Sequence, residues 1–222
     1  MAPDDQLYIL DEENTIMSCQ QAIDTQSQDS YNLGLNIYVA DTKWLIAELK
    51  KAQKCGAPID IGQRFASLTA KYRTNAYEYT GYLHNVHDIK SYYDSNIEML
   101  DKKNRDSLLH GNQRIITRVR NEVGTYYTTS SKVKNSLFAT GCRINGTVEN
   151  SILSRRIDVA EDSKVKNSIV MASCTLEAGS SIEYAILDKN VVIKKDVVVK
   201  GTPDNPVVIK KGDIITKDLI IG

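Results

Sequence analysis

Aliphatic residues return along the second half of the chain in a rhythm that suits neither a helix nor a hairpin meander. Stepping from Val133 by five, six and four residues, then by five, six and six repeatedly, reaches Phe138, Ile144, Val148, Leu153, Val159, Val165, Val170, Leu176, Ile182, Leu187, Ile193 and Val199. Every position is apolar. A helix wants an apolar residue about every 3.6 positions, and a meander wants strict alternation broken by turns. A cycle of three beats over 17 residues instead describes a coil of three short strands. Each strand sends one aliphatic side chain inward, and successive coils stack at about 4.8 Å.

The same period shows as a repeated cassette. Val133-Lys-Asn-Ser-Leu-Phe138 returns as Val148-Glu-Asn-Ser-Ile-Leu153 and as Val165-Lys-Asn-Ser-Ile-Val170, with a degenerate copy at Ile182-Glu-Tyr-Ala-Ile-Leu187. The pattern predicts a parallel β-solenoid of hexapeptide type over residues 132–222. Cys142 and Cys174 fall in line with Ile157 and Val191, which predicts an interior column. Two coils separate the cysteines, about 9.5 Å, too far for a disulfide. The prolines and turn residues of Gly201-Thr-Pro-Asp-Asn-Pro206 break the beat. After them, Val207–Ile209 and Leu219–Ile221 read as a last partial coil or a cap.

The first half has a mixed pattern. Leu7–Leu10 and Thr15–Met17 flank an acidic turn and read as a hairpin. Residues 20–32 are polar and read as a loop. Leu35–Val39 alternates as a strand, and Asp41 then caps a helix running to Lys54 with Gly56 beyond its end. A weaker helix is expected over Ile61–Tyr72, a strand over Ala76–Tyr79, and a helix from Asp88 to Lys102. Residues 103–131 read as a connector. The expected domains are an α+β segment at 1–102, that connector, and the solenoid at 132–222.

Composition narrows the function. Lys+Arg and Asp+Glu number 28 each, so no net field gathers nucleic acid or anionic lipid. No apolar run approaches the roughly 20 residues of a membrane span. No charged opening precedes an apolar stretch, so a cytoplasmic location is expected. The four cysteines (Cys19, Cys55, Cys142 and Cys174) form no Cys-x-x-Cys pair and are expected as free thiols. His84-x-x-His87 is half a metal site without the other half. Gly141-x-x-x-x-Gly146-Thr147 lacks the lysine of a phosphate loop and lies within the solenoid beat. All three histidines, His84, His87 and His110, precede Val133. That weighs against an acyltransferase using a histidine of the coils as general base.

A small α+β segment leading into a hexapeptide solenoid is similar to the C-terminal part of the bacterial glucose-1-phosphate adenylyltransferases. The likeness is carried by Ile37-Tyr-Val-Ala-Asp41, by Asn85-Val-His-Asp-Ile-Lys-Ser-Tyr-Tyr93 and by Asn135-Ser-Leu-Phe-Ala-Thr-Gly-Cys142. The resemblance implies that the solenoid is left-handed, and that the first segment is the remnant of a nucleotidyltransferase domain.

The departures from that family are equally informative. Catalytic members have a Glu-Lys-Pro segment whose lysine holds the sugar phosphate, where this chain has Gln21-Ala22-Ile23. Alanine cannot replace that cation. They also have Asp-Val-Gly-Thr, whose aspartate helps to hold magnesium, where this chain has Asn85-Val86-His87-Asp88. A neutral amide is a poor ligand for a hard dication. Neither the family's glycine-rich nucleotide loop nor its first metal aspartate is present, so the chain is expected to be part of a longer domain. These changes resemble the non-catalytic GlgD-type subunit of glycogen biosynthesis. Gln21, Ala22, Asn85 and His87 would then line a vestigial sugar-phosphate and metal pocket with no catalytic residue. The chain itself would need no cofactor, Mg and ATP being bound by a catalytic GlgC-type partner. Assembly would be homo- or hetero-oligomeric through the solenoid. The alternative is a live adenylyltransferase completed by the absent half.

Overall fold

A computed structural model describes residues 6–21, 32–56, 61–68, 71–109, 115 and 121–221. The chain forms two compact units, Met1–Thr80 and Gly81–Gly222. The division does not follow the expected boundary at residue 102. The helix after Asp88 packs on the solenoid wall and belongs with it.

In the first unit, β1 (Gln6–Leu10) and β2 (Ile16–Gln21) form the expected hairpin, and β3 (Asn32–Leu33) pairs with the other edge of β1. Helix α1 (Thr42–Lys54) starts where expected. Asp41 accepts a bond from the Trp44 amide at 2.9 Å, and Gly56 follows the end at φ 65. Helix α2 (Ile61–Leu68) stops short of Tyr72. Tyr38 stacks on Phe65 with ring centroids 4.4 Å apart, and Trp44 meets Tyr72 edge-on at 5.4 Å.

Two expected strands are absent. Leu35–Val39 is not a strand, and Ile37 and Val39 are 80% and 99% exposed. Ala76–Tyr79 is not one either; a single bridge joins Thr15 to Asn75 beside it. Alternation equips a segment to pair but supplies no partner, and among the described residues no strand lies against either segment.

The second unit begins with α3 (Ile89–Ile97), a 3₁₀ turn at Glu98–Leu100 and α4 (Lys102–Leu109). The helix α4 and the strand β4 (Tyr126–Tyr127) both fall in the stretch expected to be a plain connector. The solenoid thus opens at Tyr126 rather than at residue 132. It has three parallel walls.

The first wall stacks β4, β7 (Arg143–Ile144), β10 (Asp158–Val159), β13 (Thr175–Leu176), β16 (Val192–Ile193) and β19 (Ile214–Ile215). The second stacks β5 (Lys132–Lys134), β8 (Thr147–Glu149), β11 (Lys164–Lys166), β14 (Ser181–Glu183), β17 (Val198–Lys200) and β20 (Leu219–Ile220). The third stacks β6 (Leu137–Phe138), β9 (Ile152–Leu153), β12 (Ile169–Val170), β15 (Ala185–Leu187) and β18 (Val207–Ile209).

The register is the one the rhythm predicts. Val148, Val165, Ile182 and Val199 lie side by side, as do Leu153, Val170 and Leu187, and Ile144, Val159, Leu176 and Ile193. All are at most 1% exposed. Val133 breaks the rule at 43% exposed, and among the described residues no earlier rung stacks on its strand. The last coil is complete rather than partial. Residues of β18 to β20 continue all three walls, and the 201–206 insertion closes on itself by paired bonds between Thr202 and Asn205.

Each coil must turn three corners, and the corners require left-handed backbone. Asn135, Asn150 and Asn167 occupy one corner column, with φ of 42, 47 and 45. Asp162, Gly179 and Asp196 occupy another. A serine follows each corner asparagine. Ser151 Oγ donates to Glu149 O at 2.7 Å and accepts from Ser168 N at 3.1 Å, and Ser168 Oγ repeats the pattern between Lys166 O and Ala185 N. The hydroxyls thereby satisfy buried backbone groups that the corner leaves without a strand partner.

The cysteine column is interior as expected. Cys142, Ile157, Cys174 and Val191 are all buried, and both thiols are free. Each thiol points at a carbonyl 3.0 Å away, Ser154 O for Cys142 and Asp188 O for Cys174. Burial is the main cause that pushes the Cys174 thiol from 9.0 up to about 11.

Two outcomes follow for stability. Leu176→Ala should cost about 2–5 kcal/mol in urea unfolding, while Val133→Ala should stay within about 1 kcal/mol. Equal losses would contradict the interior assignment. Cys174 stays neutral in the folded chain at a pH where the unfolded thiol ionises. Its contribution is complete below pH 9, and is lost as pH rises from there towards about 11. Urea midpoints across that range should fall more steeply for the native chain than for Cys174→Ala. Ellman's reagent on the folded chain should find exposed Cys55 but neither Cys142 nor Cys174.

Candidate functional site

The expected pocket residues divide between the two units. Gln21 closes β2 as the partner of Gln6 in the first. Ala22 lies outside the described residues. Asn85 and His87 sit together in the second unit, on the segment leading into α3, where His87 Nδ1 lies 3.3 Å from the Asn85 carbonyl.

The start of α3 is tightly specified. Asp88 Oδ1 accepts from the Ser91 amide at 2.6 Å, and the Ser91 hydroxyl lies 3.0 Å from the amides of both His87 and Asp88. This capping box satisfies amides that the first helical turn leaves open. The Ser91 amide, and after it the Ser91 hydroxyl, hold the Asp88 carboxyl below its ordinary range. Lys90 pairs with Asp94 one turn on at 2.7 Å. Asp88 is therefore a helix cap, and one of its oxygens is already committed to backbone.

The two other described histidine contacts are equally local. His87 Nε2 lies 3.6 Å from Asp88, and His84 lies 3.4 Å from Glu98, which also accepts from Tyr82 at 3.0 Å. His84 and His87 thus face different carboxylates rather than a shared ion. His110 lies outside the described residues. Among the described residues no three His, Cys, Asp or Glu side chains gather as a metal site.

Helix α3 is held against the third solenoid wall. Tyr93 packs with Ile169 and Ile186, flanked by Tyr92, Ile97, Met171 and Tyr184. Its hydroxyl donates to the Asn167 carbonyl at 2.6 Å, at a corner of the coil. Burial raises the Tyr93 phenol well above its ordinary range, so it is a donor at every physiological pH. Tyr184 takes the corner place of an asparagine and holds φ 49, a conformation costly for a bulky side chain. Its ring belongs to the cluster under α3, and that packing is what offsets the strain.

Beside α3 runs an open groove of about 460 Å³, floored by Tyr92, Met171, Ile186 and Val208 and edged by His87, Asp88 and Asp188. Among the described residues it holds no nucleophile next to a base. The sequence reading located the loop but missed the wall. The signal was present in the cassette: the residue before each inward one is aliphatic at Leu137, Ile152, Ile169, Ile186 and Val208. The other walls place Lys, Glu, Arg, Asp or Thr at many such outward positions.

Comparison with known proteins agrees with this architecture. Residues 122–221 match the family described as GlmU-like, C-terminal hexapeptide. The glycogen biosynthesis protein GlgD of Bacillus subtilis is 37% identical over 136 residues, 61% of this chain and 40% of that protein. The glucose-1-phosphate adenylyltransferase of Fervidobacterium nodosum is 28% identical over 190 residues, 85% of this chain and 45% of that protein. That of Bacillus mycoides is 32% identical over 139 residues, 62% of this chain and 37% of that protein. The matches span less than half the length of these relatives. Over the solenoid and the segment before it, the chain is similar to the C-terminal portion of the glucose-1-phosphate adenylyltransferase and GlgD proteins.

Proposed function

We propose that the chain acts as a non-catalytic, regulatory part of a bacterial glucose-1-phosphate adenylyltransferase, assembling with a catalytic GlgC-type chain in glycogen biosynthesis. The observation that carries this reading is the state of the Asn85–Asp88 loop. A neutral amide stands at the position of the family's metal aspartate, and one oxygen of the nearby Asp88 carboxylate caps a helix. The first unit contributes Gln21 and Ala22 where the family has the cation for the sugar phosphate. Mg and ATP would be bound by the catalytic partner, with this chain needing neither. No helix among the described residues is long and apolar enough to cross a membrane, and the cytoplasm is where such an assembly would work.

The solenoid supplies a rigid assembly surface. Outward charges on its second wall alternate from rung to rung, with Glu149–Lys166 at 3.4 Å and Glu183–Lys200 at 3.0 Å. Each exposed pair is worth at most about 1 kcal/mol. They keep that wall polar and add little to stability.

The test is co-expression with a catalytic adenylyltransferase chain from the same organism. A complex should co-purify, and its ADP-glucose formation should differ at least twofold, in kcat or KM, from that of the catalytic chain alone. This chain alone should form no ADP-glucose from ATP, glucose 1-phosphate and Mg. Activity of this chain without a partner would favour a live enzyme instead. In that case Ala22→Lys with Asn85→Asp would change little.

A further inference from the structure

We infer that the groove between the start of α3 and the third solenoid wall is the seat of a catalytic-chain segment that presents aliphatic side chains and a lysine or arginine. This inference rests on the assembly proposed above and names its contact.

The apolar wall comes first. Its outward column runs Leu137, Ile152, Ile169, Ile186 and Val208, and α3 buries the middle of it, leaving Ile169 and Ile186 at 3% and 4% exposed. The cover stops there. Val208 on the next rung is 43% exposed, and Ile89, across the groove from it, is 54% exposed. Apolar side chains facing each other across a concavity lose most when left in water and gain most when a third apolar group enters.

Charge then selects the occupant. The groove is edged by Asp88 and Asp188, and among the described residues no lysine or arginine lines it. Asp188 Oδ1 accepts from the Lys189 amide at 2.7 Å, and Asp88 Oδ1 from that of Ser91 at 2.6 Å. The second oxygen of Asp188 has no protein partner among the described residues. An occupant that covers the apolar floor also strips water from these carboxylates, and that costs unless it brings a cation. An amphipathic segment with apolar and basic faces meets both demands. The groove also touches Val86 and His87, so an occupant would press on the same loop as the vestigial pocket.

The test uses the full chain and its catalytic partner, with affinity measured by surface plasmon resonance and folding checked by Tm. Val208→Glu and Ile89→Glu should each weaken association at least tenfold with Tm unchanged. Asp188→Lys should weaken it and also remove most of its dependence on salt. Thr175→Glu, on the first wall, should leave it within twofold. Native-like affinity in all the groove variants would overturn the groove while leaving the assembly intact. No complex with the native chain would overturn the assembly and the groove together. A variant that binds weakly with a lowered Tm is judged on Asp188→Lys, where a retained salt dependence would count against the inference.

Discussion

Each coil of the solenoid takes its register from the coil before it. The amide of Thr147 bonds to Ser163, that of Lys164 to Ser180, and that of Ser181 to Val197, at 2.8–2.9 Å. With this ladder fixed, a residue cannot move along its strand without breaking its bonds to both neighbouring coils. Side chains therefore form columns, and each column must suit one environment throughout. Inside, about 1.5–3 kcal/mol per buried aliphatic side chain outweighs anything the surface pairs contribute. Close stacking also fixes Gly146, where a Cβ would collide with the Ser163 carbonyl.

The same constraint explains where variation is tolerated. The 201–206 insertion adds residues at a corner and leaves the rungs on either side in register, with Leu187 still opposite Ile209. A corner projects from the stack, and lengthening a loop there costs little chain entropy. Corners also set the composition, since each needs a left-handed residue and Asn, Asp and Gly accept that conformation most readily. Tyr184 is the informative exception. It accepts the strain of that conformation in return for packing under α3, so one corner has been given over from turn chemistry to docking a helix.

Legibility from sequence followed how local the determining contacts are. The inward columns were readable because the solenoid writes the same choice at every coil, and repetition amplifies a weak signal. The caps of α1 and α3 were readable because Asp41 and Asp88 act on amides three residues away. Leu35–Val39 and Ala76–Tyr79 misled because a strand is defined by its partner, which alternation cannot reveal. The extent of the solenoid was misjudged at Tyr126–Tyr127, whose inward Tyr127 is aromatic and half-exposed and so breaks the aliphatic beat. The outer apolar wall escaped because attention to inward beats treats the residues between them as surface. Nothing in the sequence of α3 says which wall it will cover.

The loop before α3 is organised by several residues acting together. An aspartate at Asn85 would supply a charge, but the neighbouring backbone is already organised by the Ser91 hydroxyl and the Asp88 cap. His87 fills space between that cap and the Asn85 carbonyl. A hard dication needs several oxygens converging with freedom to adjust. Here the available oxygens are tied to a helix start, and that helix is pinned to the solenoid by Tyr93 through its hydroxyl and its ring. The loop forms one edge of the groove. A rigid, charged edge beside an apolar floor suits a surface that recognises another chain better than one that must close on a substrate.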